Sequence, residues 1–254
     1  MRLLRTLPAL SMLAGCAALA QSPAAGSPEA VASSPGTGSP EPGASLSYEC
    51  DPGWNLRINV LAASGTQTAR QVSMASPDAC AAAARQLAAT RREASRPTIV
   101  GVCDPRWNVQ RFGVMPDGRV VDLPAKNGLS PGSCEAAARA TNRAHRPASG
   151  PSTVLDYDCD PQWNLRLLAL TSEGARSEAT VRFMSPSACE QNASALRSTR
   201  SEIDRAAQLG VCDTSWNVQR FSVTPTSGLQ PLQTLSMPSP GECTKQAAAI
   251  NQQQ

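Results

Sequence analysis

The segment Cys50-Asp51-Pro52-Gly53-Trp54-Asn55-Leu56-Arg57 is one of four copies in this chain, and any fold must house them all. The others begin at Cys103, Cys159 and Cys212 and carry Trp107-Asn108, Trp163-Asn164 and Trp216-Asn217 at the same spacing. All four tryptophans of the protein lie in these copies. Each copy then places a glycine fifteen or sixteen residues after its cysteine (Gly65, Gly118, Gly174, Gly228). A Ser-Pro-x-x-Cys follows, ending at Cys80, Cys134, Cys189 or Cys243, so that the cysteines of a copy stand 30, 31, 30 and 31 residues apart. Copies one and three share Trp-Asn-Leu-Arg, two and four share Trp-Asn-Val-Gln-Arg-Phe, and like copies are 109 residues apart. The order is therefore A1, B1, A2, B2, a two-repeat module that was itself duplicated.

Local chemistry suggests a structure for each copy. Trp54, Leu56, Ile58 and Val60 alternate with Asn55, Arg57 and Asn59, the pattern of a half-buried strand. The glycine supplies the positive backbone angle of a hairpin, most plainly at Asp117-Gly118, and a second strand follows. In Ser-Pro-x-x-Cys the serine suits an N-cap and the proline the first helical position, so a helix begins there. The predicted fold is α+β, with four tandem disulfide-linked β-β-α repeats forming two homologous modules. Each module is expected to be a four-stranded antiparallel sheet with two helices on one face. In the B copies the alternation slips, Phe112 and Val114 falling out of phase with Trp107 and Val109, which calls for a bulge or a strand buried on both faces.

Aromatic residues make up only 4% of the chain, so a core of this kind needs another staple. Eight cysteines accompany the repeats, and in an exported protein an even number implies disulfides. The simplest pairing is within each copy: Cys50 with Cys80, Cys103 with Cys134, Cys159 with Cys189, Cys212 with Cys243. Exchange of partners between A and B within a module is the alternative. Closing one such loop contributes about 3.5 kcal/mol in the chain-entropy model.

The leader has Arg2 and Arg5 before an apolar run through Leu13, the layout of an export signal. Leu13-Ala14-Gly15-Cys16 then resembles the lipobox of bacterial lipoproteins. The resemblance covers the first sixteen residues and implies cleavage before Cys16, which would carry a thioether-linked diacylglycerol and an N-acyl chain such as palmitate. Two or three acyl chains anchor firmly where one does not. Ala17 stands where an aspartate would favour inner-membrane retention in that family, so the outer membrane is the expected site. Segments 1–15, 16–45, 46–149 and 150–254 read as signal peptide, anchored tether, module 1 and module 2. The tether is mostly Ala, Ser, Gly and Pro, a composition that cannot bury a core. As a flexible coil it reaches roughly 30 Å and fully stretched about 90 Å.

Catalytic chemistry is scarce. His145 is the single histidine and lies in the polar run between the modules with no paired acid or nucleophile. No Cys-x-x-Cys suggests zinc, and no cofactor or metal is expected. Without the leader arginines the 23 basic residues become 21 against 20 acidic, too even a balance for nucleic acid. Asp51, Asp104, Asp160 and Asp213 suit turn formation. The tryptophans are expected to be structural, buried against the disulfides. The candidate ligand face is the polar row after them: Asn55 and Arg57, Asn108 and Gln110, Asn164 and Arg166, Asn217 and Gln219. The sequence thus reads as a non-enzymatic, lipid-anchored envelope protein, an interaction or scaffold module for another envelope protein. A glycan or peptidoglycan module using that row is the alternative.

Overall fold

A computed structural model describes residues 43–127, 129–143 and 152–253 of the protein. Cys16, the leader, most of the tether and His145 lie outside the described residues. Repeat A1 comprises β1 (Ala44–Cys50), β2 (Asn55–Leu61), β3 (Gln67–Ser73), α1 (Pro77–Thr90) and the short β4 (Glu93–Ala94). B1 comprises β5 (Thr98–Cys103), β6 (Val109–Val114), β7 (Val120–Lys126) and α2 (Pro131–Thr141). A2 repeats the A pattern as β8 (Thr153–Cys159), β9 (Asn164–Leu170), β10 (Arg176–Arg182), α3 (Pro186–Thr199) and β11 (Glu202–Ile203). B2 follows as β12 (Ala207–Cys212), β13 (Asn217–Thr224), β14 (Gly228–Pro231), β15 (Leu235–Ser236) and α4 (Pro240–Gln252).

Over the described residues the class is α+β, with antiparallel sheets, four helices and four disulfides. The internal plan differs from the β-β-α expectation. Each repeat carries a three-stranded meander before its helix, because the residues ahead of the first cysteine also form a strand. Ala44 and Leu46 are buried while Ser45, Ser47 and Glu49 face out, a period-two pattern that makes Cys50 the end of a strand. Asp-Pro-x-Trp is accordingly the turn of a hairpin. Each repeat also keeps a sheet of its own, rather than sharing one four-stranded sheet with its neighbour; A1 runs β3-β2-β1-β4 and B1 runs β5-β6-β7.

Helix starts follow the Ser-Pro signal. The hydroxyls of Ser76, Ser130, Ser185 and Ser239 accept from the N–H three residues on, at 3.1, 3.4, 3.2 and 3.3 Å. The next turn brings in the second cysteine, and the bonds are Cys50–Cys80, Cys103–Cys134, Cys159–Cys189 and Cys212–Cys243. Each clamps a helix onto the first strand of its own sheet. In the B repeats an asparagine closes the far end of the helix: Asn142 accepts from Gly101 N at 2.8 Å and donates to Gly101 O at 2.7 Å, and Asn251 does the same with Gly210.

The A and B sheets of a module share one apolar core. In module 1 it joins Leu56, Ile58 and Val72 to Val100, Val102 and Val114, and in module 2 Leu165, Leu167 and Val181 to Leu209, Val211 and Phe221. The slipped alternation of the B strands has a structural cause. Between β6 and β7 the register shifts by one residue between Val109 and Arg111, and β13 shows the same shift between its pairing with β15 and with β14. Val109 can then face α2 while Val114 faces the shared core. A third cluster, Ile99, Met115, Leu123, Val154, Leu168 and Leu170, joins B1 to A2 and so joins the modules.

Candidate functional site

The four turns that carry the tryptophans are built alike. Trp54 N donates to Asp51 O at 3.0 Å and Asp51 N to Asn55 O at 3.0 Å, and the same pair closes the turns at Asp104, Asp160 and Asp213. The aspartate side chain completes the loop. Asp51 Oδ1 accepts from Gly53 N at 2.9 Å and Asn55 N at 3.0 Å, and each equivalent aspartate accepts from the N–H groups two and four residues on.

The residue ahead of the asparagine must then take a left-handed backbone, and in every copy it is tryptophan, at φ 60°, 62°, 65° and 61°. Glycine is the usual occupant, and a bulky side chain there is a true outlier. The four rings are 39–48% exposed, so they are not packed away beside the disulfides as the sequence reading expected. The physical reason is the turn itself, which puts tryptophan at the tip of a hairpin and not on the inward face of a strand. Strain of this sort costs about 1–3 kcal/mol per residue and concentrates where function demands it. Trp163→Gly is therefore expected to change stability by less than about 1 kcal/mol, against about 3–5 kcal/mol for removing a core tryptophan. Relief of strain offsets the contacts the ring loses. Urea unfolding measures this, and a loss on the core scale would make the ring a packing element.

The polar row does not project freely. Asn55 Nδ2 donates to both carboxylate oxygens of Asp51 at 3.1 and 3.2 Å, while Asn55 Oδ1 accepts from Ser73 Oγ at 2.8 Å. Gln110 and Gln219 each donate to the carboxylates of Asp104 and Asp213 at 2.8 Å, and Asn108, Asn164 and Asn217 bond the same turns. Arg166 pairs with Asp158 and donates to Ala125 O. Arg57 remains more than half exposed, 3.7 Å from Asp51. The geometry gives most of this row a turn-building role.

These contacts hold the four carboxyls below their ordinary range. For Asp51 the backbone N–H of Asn55 is the main cause. For Asp104 and Asp213 burial pushes upward, and the hydrogen bonds from Asn108 and Gln110, or from Gln219 and Asn217, outweigh it. For Asp160 the donors of Asn164 and Gln162 do the same. A depressed carboxyl adds stability that is complete above its unfolded value, about 3.9, and lost as pH falls toward the folded value. The urea midpoint is expected to hold from neutrality to about pH 4 and drop below it, and Asp104→Asn should shrink that acid-dependent part.

Sequence reading missed a second constellation, at the joint between the modules. Arg111, on β6, is 2% exposed and donates to Asp156 Oδ2 at 2.7 Å, with Asp158 Oδ1 at 3.6 Å. Its Nε donates to Pro124 O at 2.6 Å. Lys126 Nζ lies 3.3 Å from Asp156 Oδ1. Burial pushes Asp156 up, but Lys126 and Arg111 outweigh it and hold the carboxyl far below its usual range. Burial also lowers Lys126, against the pull of Asp156 and Asp158. The available signals were that A2 carries Asp156 and Asp158 where A1 carries Ser47 and Glu49, and that B1 carries Lys126 where B2 carries Leu235.

An apolar groove lies between α1 and α2. Its cavity of about 220 Å³ is lined by Met74, Ala79, Ala82, Ala83, Leu87 and Trp107 among others, with Asp104 and Glu135 at its edge. Among the described residues no group of three or more His, Cys, Asp or Glu could hold a metal ion. No helix among them is long and apolar enough to cross a membrane. No protein-family model, curated protein or solved structure matches the chain.

Proposed function

We propose that the protein is a non-enzymatic lipoprotein of the bacterial envelope, acylated at Cys16, whose modules dock another envelope protein. The anchor and the outer-membrane placement rest on the leader and its lipobox. The observation that carries the docking reading is the groove between α1 and α2, with an apolar floor and the half-exposed Trp107 at its mouth. At about 220 Å³ it is smaller than the sites of about 300–1,000 Å³ that enclose small molecules, and it suits one or two side chains of a protein partner.

The glycan reading has one observation in its favour, the exposure of all four tryptophans. Against it, most of the donors that would grip sugar hydroxyls are taken by the turn carboxylates. The test is capture of the intact acylated protein from its native envelope, with proteomic and glycan analysis of what is held. A protein retained by wild type and lost from Ala83→Arg, which fills the groove, supports docking. Saccharide retained equally by both, with no such protein, defeats it and favours the glycan.

A further inference from the structure

The two modules share a backbone plan but differ at this groove. Met74, Ala82 and Ala83 of module 1 correspond to Phe183, Gln191 and Asn192 of module 2, 109 residues on. Phe183 is 7% exposed and belongs to the core of module 2, and Asn192 Nδ2 donates to Ala188 O at 2.9 Å. Module 2 is thus bulkier at these three positions, while at a fourth lining position it is the smaller, with Ala195 where module 1 has Gln86. The edge differs as well: Glu135 of α2 corresponds to Thr244 of α4, which Lys245 follows. The charged groups lining the module 1 groove, Asp104 and Glu135, are both acids. Asp104 stays ionised, since burial pushing it up is outweighed by its hydrogen bonds from Asn108 and Gln110. Glu135 is exposed and shares its charge with Arg139 at 3.5 Å.

We infer that the module 1 groove receives a segment of another protein that presents a large apolar side chain beside a lysine or arginine, an inference that rests on the docking reading above. The apolar side chain fills the space over Met74, Ala83 and Leu87 left open by the small residues of α1. The neighbouring cation meets Asp104 and Glu135 and the face of Trp107, where ring and carboxylates both favour positive charge. An acidic segment is opposed by the same two carboxylates.

The test selects binders from a displayed library of random peptides on the full acylated protein in detergent. The result expected is enrichment of aromatic, Leu or Met residues next to Lys or Arg. Affinity should fall at least about tenfold in Met74→Phe/Ala82→Gln/Ala83→Asn, and several-fold in Glu135→Gln, with a weaker salt dependence in the latter. The triple variant is expected to fold, because module 2 carries those three residues at the same positions. Selected peptides that are acidic, or that bind the triple variant as well as wild type, overturn the inference. The envelope capture separates the two levels. If the triple variant loses its partner and the selected peptides lack a basic residue, the charge inference alone fails. If it keeps the partner undiminished, the docking reading fails with it.

Discussion

Asp156→Ala is expected to destabilise the folded region by about 3–5 kcal/mol, the range for removing one partner of a buried ion pair. Arg111 and Lys126 would keep their charges at 1% and 6% side-chain exposure, and the acceptor that holds both would be gone. Asp158 remains, but it already serves Arg166 and lies 3.6 Å from Arg111. The variant should also show a stronger alkaline pH dependence than wild type, in which Lys126 is already lowered by burial. Without Asp156 the burial that lowers Lys126 meets less opposition, so its folded value falls further below its unfolded one. A lysine depressed in the folded state makes stability rise with pH, because the unfolded chain then binds more protons. Part of the deficit should therefore be recovered as pH climbs from neutrality toward about 10. Urea unfolding of the two proteins at neutral and alkaline pH measures both effects. A neutral substitution cost would show that the joint is held by its apolar contacts alone.

The features legible in the sequence were those set by local chemistry. Gly65, Gly118, Gly174 and Gly228 stand at positive φ because a hairpin between two strands demands it, and at three of them Ser64-Gly65, Asp117-Gly118 and Ser227-Gly228 announce the turn within two residues. Ser-Pro starts a helix through a hydrogen bond spanning three residues. The strand before each cysteine was equally local, with Ala44, Leu46 and Tyr48 alternating, yet the expected first strand began only at Trp54. The left-handed tryptophans carry no such announcement, since intrinsic preference argues against that residue there and the turn overrides it. The joint was out of reach for a different reason. Arg111 and Asp156 are 45 residues apart in sequence and meet only because the sheets of B1 and A2 stack.

That stacking makes a second large effect foreseeable, the conversion of this chain into a head-to-tail polymer by a few substitutions. By the 109-residue repeat, the outer face of A1 is the counterpart of the A2 face that docks on B1, and the outer face of B2 is the counterpart of the docking face of B1. Val154, Asp156 and Leu168 of the joint become Ser45, Ser47 and Asn59 at one end. Ile99, Gly113 and Met115 become Gln208, Ser222 and Thr224 at the other. The framework persists beneath these changes, for Arg220 Nε donates to Gln233 O at 2.9 Å as Arg111 Nε does to Pro124 O. The differences have the character of capping repeats, whose polar outer faces end a stack. Each large apolar side chain fully buried contributes about 1.5–3 kcal/mol, so losing four at once removes the drive for a further copy to add. Restoring Ser45→Val, Ser47→Asp and Asn59→Leu together with Gln208→Ile, Ser222→Gly and Thr224→Met should give concentration-dependent oligomers, since the contact is heterologous and does not close on itself by symmetry. Chains altered at one end only should stay monomeric alone and form a one-to-one dimer, and nothing longer, when the two kinds are mixed. Mass photometry of the full-length proteins reads all three cases. Wild type that already associates through these ends, or a sixfold variant that folds and stays monomeric, would show that the polar residues are not what stops the stack.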